Sequence, residues 1–278
     1  MNQTSNAFHS DLGTPTVPPV VMRNEERSHL TLPARPAKPR VSGLTMVIDG
    51  GVPLGLFADL IELGAEYTDY VKFGWGTSVV TGCLREKISV LERHGIGFYF
   101  GGTLFEKFVL QGRFDDYRRF CEEYSVRHVE VSNGTIEMSN AEKAGYIRKL
   151  APDFAVVSEV GFKDPGRSEM LPPSEWVAAI KEDLDAGASL VTLEARESGT
   201  SGICRPDGEL RYGLIEDVLH AGIGIDSLLF EAPTSALQTH MIKRIGPNVN
   251  LGNVPAQGVI SLETLRLGLR ADTLTVFE

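Results

Sequence analysis

"VVSEVGFKDPGR", residues 156–167, begins as a run of small and apolar residues and ends in a Gly/Pro loop. A short apolar run bounded by turn residues reads as a strand buried on both faces. Here it delivers a carboxylate, Glu159, and an amine, Lys163, where strand gives way to loop. The same grammar recurs along the chain: "LTMVID" (44–49), "DYVKFGW" (69–75), "GFYFGGT" (97–103), "HVEVSNG" (128–134), "AVVSEVG" (155–161), "LVTLEAR" (190–196), "SLLFEAP" (227–233) and "NVNLGNV" (248–254). Their starts lie roughly 21–37 residues apart, which fits one strand, one helix and two loops.

Helical patterns fill the intervals, among them "GLFADLIELGAEY", "LREKISVLERHG", "SEWVAAIKEDLDAGA" and "SLETLRLGLR". In the third, Trp176, Val177, Ile180 and Leu184 form one apolar stripe opposite the charged positions, and "DAGA" supplies the glycine stop. Eight strands alternating with eight helices predict an α/β chain folded as a (β/α)8 TIM barrel over residues 44–278. An open doubly wound sheet is the alternative, and the number of units favours the barrel. The units share pattern but not sequence, so they are not solenoid repeats. Residues 1–43 differ: "TPTVPPV" and "LPARPAKPR" interrupt any helix with proline. They predict an irregular, partly disordered N-terminal extension that wraps or packs beside the barrel.

The composition, 42% hydrophobic and 23% charged over 278 residues, suits a globular chain with a sizeable core. A net charge of −10 argues against a general nucleic-acid binder, whose phosphate contacts need a basic surface. Small anionic ligands remain compatible, because local charge in a cleft matters more than the total. Cys83, Cys121 and Cys204 are far apart and odd in number, with no zinc spacing or disulfide framework, which fits a reducing cytoplasm. No apolar run approaches the roughly 18–20 residues that span a bilayer. The six histidines show no metal spacing, and no GxSxG elbow, Walker A or GxGxxG pattern occurs.

In a barrel of this kind the active site lies at the C-terminal ends of the strands. The residues there are Asp49, Lys72, Glu106, Glu130, Ser132, Asn133, Glu159, Lys163, Glu194, Arg196, Glu197, Glu231, Asn250 and Asn253. One carboxylate at a strand end is as readily a helix cap or an ion-pair partner as a catalytic group. Six strand ends carrying an acid are another matter, since buried acids must be paired or coordinated. Their convergence with Lys72, Lys163 and Arg196 predicts a site for Mg²⁺ and an anionic substrate. Asp49, Glu130, Glu194 and Glu231 are the candidate metal ligands. Lys72, Arg196, Asn250 and Asn253 are candidate substrate contacts. Ser198 and Gly199, in "RESGTSGICRPDG", join them as a loop whose N–H groups can turn towards a phosphate.

"GLTMVIDGGVP", "DYVKFGWGTS", "GGTLFE", "VEVSNGTIEM", "SEVGFK", "LEARESG", "LFEAP" and "VISLETLRLGLRADT" together resemble the phosphosulfolactate synthase family, over about residues 30–276. The resemblance implies a barrel that adds sulfite to phosphoenolpyruvate with Mg²⁺, on a route to coenzyme M, and a homo-oligomer such as a trimer. It implies Lys163 as the acid that protonates C2, with Glu159 beside it, and a lysine whose pKa is drawn towards the working pH by burial and nearby cations. Two positions depart from the family pattern: Gly50 and Phe162 stand where it has lysine. These departures keep open a related C–S or C–C bond-forming lyase, including a Schiff-base aldolase with Lys163 as nucleophile. The family's plant heat-stress-associated relatives keep open a non-catalytic barrel.

Overall fold

A computed structural model describes residues 28–277. Strand β1 (Thr45–Asp49) leads into α1 (Leu54–Gly64), and β2 (Tyr70–Phe73) into α2 (Thr77–Val80) and α3 (Leu84–Arg93). Strand β3 (Gly97–Phe100) leads into α4 (Gly102–Leu110) and α5 (Phe114–Glu123), and β4 (His128–Val131) into α6 (Asn140–Leu150). Strand β5 (Ala155–Val160) is followed by α7 (Pro165–Met170) and α8 (Pro173–Asp185), and β6 (Ala188–Leu193) by α9 (Tyr212–Leu219). Strand β7 (Leu228–Glu231) precedes α10 (Ser235–Ile245), and β8 (Leu251–Pro255) precedes α11 (Val259–Arg266).

All eight strands are parallel and form one sheet in the order β3-β2-β1-β8-β7-β6-β5-β4. The β1–β8 pairing rules out the open doubly wound alternative, whose first and last strands do not meet. Strands β3 and β4 face each other across a seam without a hydrogen-bonded ladder. The fold is a (β/α)8 TIM barrel. Eleven α-helices, rather than eight, occur among the described residues, because the connections after β2, β3 and β5 each carry two. Sequence chemistry sets several starts. Ser139 and Glu142 form a reciprocal capping box on α6, and Asp164 caps α7 with Pro165 in its first turn.

The strand period of two divides the core. On β5, Glu159 faces the barrel cavity, while its neighbours Val156, Ser158 and Val160 are buried towards the helices. Trp176 and Ile180 of the predicted α8 stripe are fully buried there. That layer also contains ion pairs. Lys143 on α6 lies 2.7 Å from Asp183 on α8 and donates to the main-chain oxygen of Glu159 at 2.9 Å. This pair therefore fixes the backbone that carries a site residue.

Part of the N-terminal extension packs against the barrel floor. Arg35 pairs with Glu263 at 2.9 Å and Arg40 with Asp69 at 3.0 Å. Arg266, fully buried, donates to the main-chain oxygens of Pro247, Val249 and Leu44. These contacts tie residues 35–40 to the barrel. The expectation of disorder in residues 1–27 lies outside the described residues. Among the described residues no helix is long and apolar enough to cross a membrane.

Removing one partner of a buried pair strands the other charge, a loss of about 3–5 kcal/mol. Lys143→Ala is expected to lower the urea-unfolding free energy by that amount. Lys143→Met combined with Asp183→Leu recovers most of the loss.

Candidate active site

At the C-terminal mouth of the barrel the strand ends bring together Glu130, Glu159, Glu194 and Glu231, each at most 2% exposed. Two lysines enter the same space. Lys72 on β2 lies 3.3 Å from Glu130, 3.2 Å from Glu231 and 3.9 Å from Glu159. Lys163, just past β5, pairs with Glu159 and lies 2.7 Å from Glu194. Four carboxylates against two ammonium groups leave a formal charge of −2 in a buried site. Glu159, Glu194 and Glu231 each offer an oxygen within 4.8 Å of the others.

Backbone donors hold these acids in place. The N–H groups of Ala195 and Arg196 donate to Glu231 at 2.9 and 3.1 Å, and the Arg196 N–H also reaches Glu194 at 2.5 Å. Arg196 adopts φ 60°, the left-handed region, which turns its amide inward. Gly102, opening α4, donates its N–H to Glu130. A side chain at Gly102 would collide with Ser132, its Cβ falling 2.5 Å from the hydroxyl, so glycine is required for this approach. Asn253 donates through Nδ2 to Glu231, while its Oδ1 is buried without a hydrogen-bond partner.

Burial dominates the electrostatics. It raises Glu130, and Lys72 only partly opposes it. It raises Glu194 too, with the nearby Glu231 charge adding to the effect. Glu159 is pushed from 4.5 to about 7, first by burial and then by Glu194, against the pull of Lys163 and Lys72. Burial pulls the Lys163 ammonium down, but Glu159, Glu194 and Glu231 outweigh it and hold the group well above the usual lysine range. The expected lowering of this lysine is thus reversed, because its neighbours are anions and not cations.

Not every sequence-predicted residue reaches the cavity. Asp49 is one residue past Ile48, which lines it, so parity sends the carboxylate to the other face of β1. There it lies 2.5 Å from Lys87 of α3 and accepts the N–H groups of Gly51 and Val52. With both oxygens engaged outside the cluster, Asp49 is withdrawn as a metal ligand. Glu130 divides its oxygens between Lys72 and Gly102, apart from the three converging acids.

Asn250 precedes β8, at the opposite end of the barrel, where it accepts the Leu44 N–H and donates to Asp226 and Leu228. It is withdrawn as a substrate contact. The Arg196 guanidinium is turned out to the Lys163 main-chain oxygen, 3.3 Å away. Ser198 bonds Thr200, and Gly199 packs by Leu237 and Thr234, so neither lines the cavity. Glu106 proves to be an organiser of the loop after β4. It accepts from Ser132, Gly134, Thr135 and Ile136, and the Gly134 oxygen in turn holds the Lys163 N–H at 3.1 Å.

Trp75 was missed as a site residue, although it stands in the quoted "DYVKFGW". Its indole lines the mouth and lies 3.4 Å from where a Cβ on Gly50 would sit. Nothing in the sequence signals that a tryptophan between two glycines folds back over the strand-1 end. Phe162, the other position departing from the family pattern, carries the Arg167 guanidinium 4.1 Å above its ring.

A parallel barrel with acids and lysines paired and buried at its C-terminal mouth defines the class: a (β/α)8 barrel with a charged candidate active site at its strand ends. Likeness to solved structures agrees on the fold alone. 3-Hexulose-6-phosphate synthase from Salmonella typhimurium superposes with a TM-score of 0.54 at 11% identity, over 82% of this chain and all of that one (100%). The sequence comparisons are more specific. Residues 33–272 match the family described as (2R)-phospho-3-sulfolactate synthase (ComA). The phosphosulfolactate synthase of Bacillus subtilis is 50% identical over 244 residues, covering 88% of this chain and 97% of that protein. That of Methanothermobacter thermautotrophicus is 39% identical, covering 87% and 95%. The Arabidopsis thaliana protein HEAT-STRESS-ASSOCIATED 32 is 25% identical, covering 84% and 88%. The chain belongs to the phosphosulfolactate synthase family.

Because the folded protein retains a proton on Glu159 between about pH 4.5 and 7 that the unfolded chain has released, stability is expected to fall as pH rises through that window. Urea midpoints of the metal-free protein across this range check the sign, and Glu159→Gln flattens the slope.

Proposed function

We propose that this chain is an enzyme that adds sulfite to phosphoenolpyruvate, forming (2R)-phospho-3-sulfolactate, with Mg²⁺ as cofactor. The observation that carries the reading is the buried cluster of Glu159, Glu194 and Glu231 with Lys163 beside it, on a chain of this family.

The donor set fits Mg²⁺. Three carboxylate oxygens and the unpartnered Oδ1 of Asn253 are hard ligands, and the formal charge of −2 balances one divalent cation. Glu159, Glu194, Glu231 and Asn253 would hold it. Bound there, Mg²⁺ supplies positive charge to the substrate carboxylate as that group accumulates electrons.

This chain's own residues supply the rest. The sulfite sulfur attacks C3 with its lone pair, forming the C–S bond. The C2=C3 electron pair moves towards the carboxylate, giving an aci-carboxylate. Lys163 then delivers its proton to C2, and the phosphate ester stays intact. An ammonium held well above the usual range is a weak acid while Glu159 and Glu194 surround it. Neutralising those carboxylates, by metal or by proton, removes the cause of the rise and makes the donor usable. Glu159 is the group that positions the donor, since it pairs with the Lys163 ammonium. Lys72, held by Glu130 and Glu231, keeps a second positive charge in the same space.

Mass spectrometry of mixtures containing phosphoenolpyruvate, sulfite and Mg²⁺, each omitted in turn, tests the reading. Phosphosulfolactate is expected only in the complete mixture. Its absence with folded protein contradicts the assignment and favours another nucleophile or acceptor at Gly50 and Phe162. Lys163→Ala is expected to lower turnover by at least about 10²-fold, the lower range of a general-acid contribution. Turnover near wild type removes Lys163 from the mechanism.

A further inference from the structure

The carboxylates lie beneath a narrow mouth, beside a Lys163 side chain that keeps 23% exposure. The cavity above them has a volume of about 20 Å³, room for a single water and not for a three-carbon phosphate ester. Most of its wall is the ends of buried strands, which cannot withdraw. Among the wall residues in loops, Trp75, after β2, and Glu197, after β6, stand on opposite sides of the mouth. The indole Nε1–H of Trp75 donates to Glu197 Oε1 at 2.5 Å, joining the two loops.

Both ends of this link adjoin left-handed backbone. Trp75 is 41% exposed and holds φ 50°, in the left-handed region that a bulky residue occupies only under constraint. Gly74 and Gly76 flank it, and a Cβ on Gly76 would touch nothing within 4 Å. Glu197 follows Arg196, itself at φ 60°. The ring rests over Gly50, where a larger side chain would press on it from 3.4 Å. The indole is therefore held at the mouth by its hydrogen bond to Glu197 and its contact over Gly50.

We propose that Trp75 and Glu197 form a latch across the barrel mouth, and that it must release before any ligand larger than water reaches Glu159, Glu194 and Glu231. Trp75 and Glu197 act as gating and positioning residues. Release lets Trp75 leave the left-handed conformation through rotations at Gly74 and Gly76. For phosphoenolpyruvate as the entering ligand, the proposal rests on the function proposed above; the latch itself does not.

Reductive methylation of Lys163 with formaldehyde and dimethylamine–borane, followed by peptide mass spectrometry, reads access without a substrate. Exposed Lys181 serves as the internal reference. Losing one hydrogen bond is expected to speed Lys163 modification about fivefold in Glu197→Ala and in Trp75→Phe, with Glu197→Gln, which keeps the acceptor oxygen, within about twofold of wild type. Equal rates in all four proteins overturn the latch. So does acceleration shared by Glu197→Ala and Glu197→Gln but absent from Trp75→Phe, which would assign the effect to lost charge. The association rate of phosphoenolpyruvate with Mg²⁺ is then expected to rise by the same factor in Glu197→Ala. Wild-type protein that shows the methylation pattern but binds no phosphoenolpyruvate contradicts the proposed function and leaves the latch standing.

Discussion

Strand parity at one end of the barrel decides where charge goes in this molecule. In a parallel barrel, alternate residues of each strand point inward, and the last inward positions share a small, dry volume. Lys72, Glu130, Glu159, Glu194 and Glu231 occupy those positions. Asp49, one residue out of phase, goes to the helical layer and pairs with Lys87 instead. The same rule that builds the core therefore sorts acids that look alike in sequence into a reactive set and a structural one.

Burial makes that set unstable by itself, and much of the surrounding architecture offsets it. Backbone N–H groups from Gly102, Ala195 and Arg196 are turned onto the carboxylates. Lys143, anchored by Asp183, fixes the Glu159 backbone from outside, and Glu106 fixes the loop that receives Lys163. These supports still leave two excess negative charges, with Glu130, Glu159 and Glu194 all pushed towards the protonated form. A site poised this way responds to whatever neutralises it. In the proposed reaction a cation both fills the deficit and frees Lys163 from the anions that suppress its acidity.

The fold was legible because its signal is repeated. Eight apolar runs at similar spacing mark eight strands, and each run lies on an observed strand or at its ends. The additional helices after β2, β3 and β5 were not separable, since short helices such as Thr77–Val80 carry no stripe of their own. At the site, Lys163, Glu159, Glu194, Glu231, Lys72 and Asn253 were visible as strand-end residues and do line one cavity. Asp49 and Asn250 were misplaced for geometric reasons: one residue along a strand reverses the direction of a side chain, and Asn250 stands before the start of β8 rather than at its end. Trp75 and Glu197 meet only through the closure of the barrel, across 122 residues of chain, a contact that no local pattern encodes.

The central proposal is that the charge left by Glu130, Glu159, Glu194 and Glu231 against Lys72 and Lys163 is matched by a divalent cation. Calorimetric melting of the substrate-free protein at rising Mg²⁺ tests it most directly. A cation that binds the folded chain alone stabilises it by about 2.7 kcal/mol at a hundredfold excess over its Kd. The account predicts a melting temperature that climbs with Mg²⁺ in the wild type and stays flat when Glu194 and Glu231 are both replaced by glutamine. A wild-type melting temperature indifferent to millimolar Mg²⁺ would contradict it.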